Sequence, residues 1–196
     1  IILSKAVGLT RAQFATLRLL RGNMLEAEAV WGLLKDEERE WRRKYGRLRI
    51  DGPGLGPHLI KLTTKIEGQN FVLVSDTTKD DFYLNTSNQT SFSSLAVILR
   101  DVQNNQKPIG VLSVEHPDRN GLDETDRDML MLLANIAAVA LKHASRREVV
   151  QTTEMIALQG LFGANWWHTA HQKSFVIKQR APLLELSLRE PDRFAT

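Results

Sequence analysis

Two alternating apolar segments followed by one long apolar segment dominate the chain between residues 93 and 141. In the first segment Leu95, Val97 and Leu99 occupy alternate positions, and residues 107–117 repeat this alternation. A period of two is typical of strands that bury one face. The connection between them is rich in Asn, whose side chain suits turns, so we predict an antiparallel hairpin of two half-buried strands.

The period lengthens at Asp123. Acidic residues occupy the next few positions, where a helix dipole favours negative charge, and Met129, Leu133, Ile136 and Ala140 then recur at steps of three and four. This spacing predicts a helix that starts near Asp123 and buries that face.

The order of these elements resembles the C-terminal half of the GAF domain family. The resemblance rests on IGVLSV at 109–114, a loop with Pro and Gly, an acidic cap, and LLANIAAVAL at 132–141. The N-terminal half agrees, because residues 11–34 look like the family's first helix end and first hairpin. Residues 51–65 resemble its Gly-rich helix entrance, followed by a strand that runs up to Asp76.

The resemblance covers residues 1–145 and implies an α+β fold, a GAF/PAS-like antiparallel sheet flanked by helices. Residues 146–196 are predicted to form a C-terminal helical extension, either a coiled coil or a bundle. Apolar residues recur there at helical spacing and form a face too wide to leave in water. We expect this face to make a homodimer through Leu161, Phe162, Trp166 and Phe175.

The segment 157–173 also resembles the dimerisation and phosphoacceptor helix of sensor histidine kinases. In that resemblance His168 stands at the phosphoacceptor place and His171 is the alternate. The segment departs from the family because Thr169 follows His168 where an acidic residue is usual. Two histidines in a bundle interior explain the pattern equally well, so both interpretations stay open. No acid or cysteine completes a metal set with the two histidines, so no metal site is predicted.

GAF domains bind cyclic nucleotides, tetrapyrroles and other small molecules, which makes an unknown small molecule the expected ligand. The sequence contains no cysteine, so a cysteine-linked bilin is not expected. Cyclic GMP is disfavoured as well, because the family's signature for it is not reproduced. The segments that cover the pocket in the family suggest the ligand-binding residues His58, Asp76, Tyr83, Phe92 and Ser94.

The Gly-rich segment before residue 58 leaves an alternative open. Gly52, Gly54 and Gly56 could free backbone donors at a helix start to hold an anion. The favoured explanation is that they make the bend that this fold needs there. His58 is either a buried structural residue or a haem ligand.

Composition adds limits on function. The net charge of +3 comes with basic clusters at 38–49 and 142–147, but no nucleic-acid motif accompanies them, so no nucleic-acid partner is expected. A solvated loop and a helix C-terminus are the favoured explanations of the two clusters. The chain has no membrane-span or signal-peptide pattern, starts without Met like a fragment, and is predicted to be cytoplasmic.

No complete enzyme motif is present, so the chain itself is not expected to be catalytic, although it fits a part of a sensor histidine kinase. The sequence predicts a regulatory GAF sensor of a bacterial-type signal-transduction protein. It would bind a small molecule, dimerise through its C-terminal helices and act on a downstream output or kinase domain. The alternative is a GAF scaffold that binds no ligand and serves dimerisation or protein interaction.

Overall fold

A computed structural model gives the structure of the protein and describes residues 2–87, 90–101, 104 and 106–144. The chain divides into two units, residues 1–142 and 143–196. Nearly all of the second unit, including the predicted extension from residue 146, lies outside the described residues. The fold is therefore that of the first unit.

Within the described residues, six strands form one antiparallel sheet with the order β3-β2-β1-β6-β5-β4, and four helices flank it. A short 3-10 turn, Thr77–Lys79, follows β4. The elements in chain order are α1 (Ile2–Thr10), β1 (Phe14–Arg21), β2 (Met24–Trp31), α2 (Lys35–Tyr45), β3 (Arg47–Arg49), α3 (Leu55–Lys65), β4 (Phe71–Val74), β5 (Ser93–Asp101), β6 (Lys107–His116) and α4, which covers 124–144.

The predicted hairpin is confirmed, and it lies at the centre of the sheet. Leu95 of β5 lies opposite Val114 of β6, and Val97 lies opposite Leu112. The prediction of half-buried strands is wrong, because residues 93–99 are all buried. The reason is that helices cover both faces of the sheet, so that alternate side chains of β5 enter two separate cores.

The first core lies between the sheet and the helices α1 and α4. Leu3 and Ala6 of α1 pack there with Leu95, Leu112 and Leu130. The second core lies on the α3 face of the sheet. The residues of the second core are Leu25, Leu55, Leu59, Ile60, Val74, Ala96, Ile98 and Val111.

The predicted start of α4 is confirmed by its cap. The Asp123 carboxylate accepts hydrogen bonds from the backbone N–H of Thr125 at 2.7 Å and of Asp126 at 3.0 Å. The Asp126 carboxylate accepts in return from the backbone N–H of Asp123 at 3.0 Å. These reciprocal bonds satisfy donors that a helix start leaves unpaired.

The predicted face of α4 is wrong in part, because Leu133 packs against the first core but Ile136 and Ala140 are exposed. The fully buried residues are instead Leu130 and the small residues Ala134, Ala137 and Ala138. Small alanine side chains let the helix axis lie close to the sheet. Ile136, which belongs to the predicted face, is 54% exposed. Spacing alone did not distinguish two apolar stripes on one helix.

Residues 38–49 differ from the solvated loop that we predicted. Most of them belong to α2, which has acidic residues in its first turn and basic residues in its last turn, as the helix dipole favours. Trp41 is 1% exposed and contacts Phe14 edge to face, with ring centroids 6.0 Å apart. This one buried aromatic residue attaches an otherwise polar helix to the sheet.

Gly110 provides a test of the tight pairing between β1 and β6. A Cβ at Gly110 would lie 2.3 Å from the Arg18 carbonyl oxygen, and backbone cannot move aside cheaply. We expect Gly110→Ala to lower the free energy of unfolding by about 2 kcal/mol in urea denaturation. Gly8→Ala in α1 is the control, because its Cβ meets nothing within 4 Å, and it should raise stability by about 0.5 kcal/mol. Equal stability of the two variants would contradict this account of the sheet.

Candidate functional site

A cavity of about 40 Å³ lies on the α3 face of the sheet. Its floor consists of side chains from the central strands β1, β5 and β6. The floor residues are Thr16, Arg18, Ser94, Val111, Ser113 and Glu115. The start of α3 and the segment after Phe82 close it from above, and the residues of this roof are Gly54, Leu55, Gly56, Tyr83, Leu84 and Thr86, with Leu48 at the side.

The alternation of the strands places the polar floor side chains on one face. Thr16 of β1 lies opposite Ser113 of β6, and their hydroxyl oxygens are 2.8 Å apart. Ser94 of β5 lies opposite Glu115. The adjacent part of the same face is the apolar second core, so the polar floor interrupts a surface that is otherwise hydrophobic.

Arg18 is a buried cation at one end of this floor. It is 4% exposed, its Nη1 donates to the Tyr45 carbonyl oxygen at 2.8 Å, and its guanidinium carbon lies 5.1 Å from the Trp41 ring centroid. Burial lowers its pKa to about 10, against the opposing effect of Glu115. It remains a cation at neutral pH.

Glu115 is a buried carboxyl at the other end of the floor. It is 7% exposed, and its Oε2 accepts hydrogen bonds from the Ser91 hydroxyl at 2.8 Å and the Tyr83 hydroxyl at 3.2 Å. Burial raises its pKa, while hydrogen bonds from Ser91, Ser87 and Tyr83 and the charge of Arg18 act the other way. Through these hydrogen bonds the Glu115 carboxyl on β6 holds the segment with Tyr83 and Ser91 against the sheet.

Tyr83 is held as a hydrogen-bond donor. Burial, and then the neighbouring Glu115, raise the pKa of its phenol above the ordinary value. It is thus protonated throughout the physiological range, with its hydroxyl directed to the carboxyl.

Two of the five predicted ligand-binding residues, Tyr83 and Ser94, line this cavity. The Ser94 hydroxyl also lies 3.3 Å from the Val114 carbonyl oxygen, to which it donates. Their role in ligand binding stays a prediction.

The other three predicted residues are not among those that line the cavity. His58 stacks on Phe82, with ring centroids 3.9 Å apart. Asp76 caps the 3-10 turn by accepting from the Thr78 hydroxyl at 2.6 Å and from the Thr78 backbone N–H at 3.1 Å, and these hydrogen bonds, the hydroxyl's first, lower the pKa of its carboxyl. Phe92 lies under the Arg119 guanidinium at 4.9 Å and lines a second, more open cleft that it shares with Tyr83.

Sequence reasoning missed the two charged residues of the floor, Arg18 and Glu115. A signal was present, because each interrupts an apolar strand, FATLRLLR in one case and KPIGVLSVEH in the other. A charge at an inward position of a central strand costs free energy and is therefore a candidate for function.

The predicted phosphoacceptor and dimer residues lie outside the described residues. They are His168, His171, Leu161, Phe162, Trp166 and Phe175.

The GAF domain family model matches residues 1–142, and the chain belongs to this family. The predicted α+β fold, an antiparallel sheet flanked by helices, is confirmed at this level. No curated protein matches the chain in sequence. Among the described residues, none of the helices is both long and apolar enough to cross a lipid bilayer.

Solved structures with the same fold come from proteins of several kinds. The GAF domain of Acinetobacter phosphoenolpyruvate-protein phosphotransferase is similar with a TM-score of 0.58 and 16% identity, over 75% of this chain and 81% of that chain. Free methionine-R-sulfoxide reductase from Neisseria meningitidis, solved with its substrate, has a TM-score of 0.57 and 21% identity, over 75% and 78%. A domain of a putative two-component sensor histidine kinase from Sinorhizobium meliloti 1021 has a TM-score of 0.55 and 10% identity, over 76% and 92%. At these identities the likeness shows the fold alone.

The raised pKa of Glu115 gives stability a specific pH dependence. Between the ordinary value of 4.5 and the higher value in the folded state, the folded protein binds more protons than the unfolded chain. This contribution to stability is therefore present at low pH and is lost as pH rises through that window.

We expect Glu115→Gln, which cannot titrate, to gain stability relative to the original protein as pH rises above 4.5. Urea denaturation across this range measures the difference. Glu40→Gln is the control, since the Glu40 side chain is exposed. A difference between Glu115→Gln and the original protein that stays constant with pH would contradict the assignment.

Proposed function

We propose that this GAF domain is the regulatory sensor of a bacterial-type signal-transduction protein, in which it binds a small molecule in the cavity between Arg18 and Glu115. GAF domains occur in sensor kinases and related multidomain signalling proteins. The observation that carries the proposal is the pair of buried ionisable side chains on the cavity floor, Arg18 and Glu115.

These two side chains argue for a ligand because burying ionisable groups is costly in a purely structural core. Arg18 and Glu115 are both less than a tenth exposed, and no direct ion pair joins Arg18 to any carboxylate of the described residues. Replacing buried charges by apolar side chains of similar volume commonly leaves stability unchanged or improves it. A domain selected only for stability would have little use for them.

Dimerisation is the second part of the proposal, and the outer side of α4 supports it. Leu132, Ile136 and Val139 are between 49% and 62% exposed and follow one another at steps of four and three, so they form one apolar stripe. We place the partner's contacts on this stripe and on the predicted dimer residues of 146–196. In the same proposal His168, or His171 beside it, accepts a phosphoryl group in a sensor histidine kinase.

A scaffold without a ligand is the alternative, and the size of the cavity favours it. A volume of about 40 Å³ is far below the roughly 300 Å³ at which drug-sized ligand pockets begin. In the sensor proposal the ligand is correspondingly small, whereas in the scaffold proposal water fills the space.

Native mass spectrometry of the purified protein separates the two functions. The sensor proposal predicts a dimer that carries additional small-molecule mass, which is released when the protein is denatured. A dimer without added mass, unchanged after incubation with cell metabolites, would favour the scaffold. A monomer would contradict dimerisation in either form.

Substitutions then locate the dimer contacts. We expect Ile136→Glu and Trp166→Glu each to yield monomers in analytical ultracentrifugation, because a charge in an apolar interface loses its water without gaining a partner. Leu34→Glu is the matched control, since Leu34 is an exposed apolar residue outside the stripe, and it should leave the dimer intact. A dimer that survives both test substitutions would rule out a helical interface at these positions.

A further inference from the structure

Arg18 brings a positive charge into the cavity, and no carboxylate of the described residues lies within ion-pair distance of it. Within the described residues its guanidinium makes one hydrogen bond, to the Tyr45 carbonyl, and otherwise faces the Trp41 ring. A guanidinium has five N–H donors in a planar fork. A buried charge is stabilised by an anion, and a carboxylate matches the fork with two parallel hydrogen bonds.

The other end of the floor offers hydrogen-bond acceptors where the Arg18 end offers donors. The Glu115 carboxyl is an acceptor that gathers the hydroxyls of Ser91 and Tyr83. A second anionic group of a ligand would be repelled here, whereas a hydroxyl or ammonium group could donate to the carboxyl. The hydroxyl pair of Thr16 and Ser113 lies between the two ends and can donate or accept.

The spacing and volume limit the length of the ligand. Arg18 lies opposite Val111 on β6, four residues from Glu115, so Arg18 and Glu115 are separated by about 13 Å along the strand direction. Both long side chains extend into the same cavity and shorten that gap. The remaining volume of about 40 Å³ fits only a few non-hydrogen atoms and is too small for a nucleotide or a tetrapyrrole.

Building on the proposed sensor function, we propose that the cavity binds a short carboxylic acid that carries a hydroxyl or amino group. Its carboxylate pairs with Arg18, and its donor group points towards Glu115. The hydroxyls of Thr16 and Ser113 contact the middle of the molecule.

Thermal unfolding and calorimetric titration with three probes test the proposal. Glycolate carries a hydroxyl, glycine carries an ammonium group, and acetate carries the carboxylate alone, with sodium chloride as the ionic-strength control. At least one of glycolate and glycine should raise Tm with a saturable dependence and bind about tenfold more tightly than acetate. The better of the two identifies the donor group.

Variants assign the binding to the floor. Arg18→Met removes the charge and Arg18→Lys keeps it without the planar fork, so each should weaken binding of the better probe by about tenfold or more. The Lys variant covers the case in which the Met variant does not fold. Arg100→Met is the matched control, because Arg100 is a hydrogen-bonded arginine that is not among the cavity residues, and its variant should bind as the original protein does.

The two proposals fail in different ways. If the mass released in native mass spectrometry is a molecule without a carboxylate, the sensor function stands and the carboxylic acid is wrong. If neither probe binds and no mass is released, both proposals are overturned. Binding of acetate as tight as that of glycolate and glycine would overturn the contact between the donor group and Glu115. Binding that survives Arg18→Lys would overturn the pairing of the carboxylate with Arg18.

Discussion

The pairing of β6 with both β1 and β5 is the constraint on which the rest of the structure depends. It joins the N-terminal hairpin to the C-terminal one, because β6 lies opposite β1 on one side and β5 on the other. Helices cover both faces of these strands, so each strand supplies side chains to two cores. The same pairing places Arg18 and Glu115 on adjacent strands and on the same face. The cavity is therefore a consequence of the central ladder.

The polar floor opposes the stability that this ladder provides. Apolar residues at Arg18 and Glu115 would extend the second core, whereas these two polar side chains must be desolvated. Among the described residues they are stabilised by hydroxyls, one carbonyl, an aromatic face and their attraction for each other. Buried polar groups that cost stability in the free protein are favourable once a complementary ligand pairs with them. With the proposed ligand bound, this balance would make the stability of the domain depend on the ligand concentration.

The sequence predicts the elements of this fold better than it predicts their surroundings. Alternation located the β5–β6 hairpin, and the acidic cap located the start of α4, because both are local effects. The burial of β5 on two faces and the choice of Ala134 over Ile136 for the core depend on which layers stack together, and a single segment does not contain that information. The family resemblance, and not the local pattern, led to Tyr83 and Ser94, which line the cavity. Arg18 was not predicted, because its place beside Glu115 depends on the pairing of strands that are distant in sequence.

The position of β5 and β6 connects the cavity to α4, the last helix of the described residues. Ser94, Ser113 and Glu115 face the cavity, while alternate residues of the same strands, such as Leu95 and Leu112, pack with Leu130 of α4. At the end of β5, Asp101 forms an ion pair with Lys142 of α4 at 2.5 Å. A closely packed sheet transmits small displacements because its layers cannot deform independently. A ligand that binds two poses of these strands unequally would therefore also bias the pose of α4, and that unequal binding is what signalling requires.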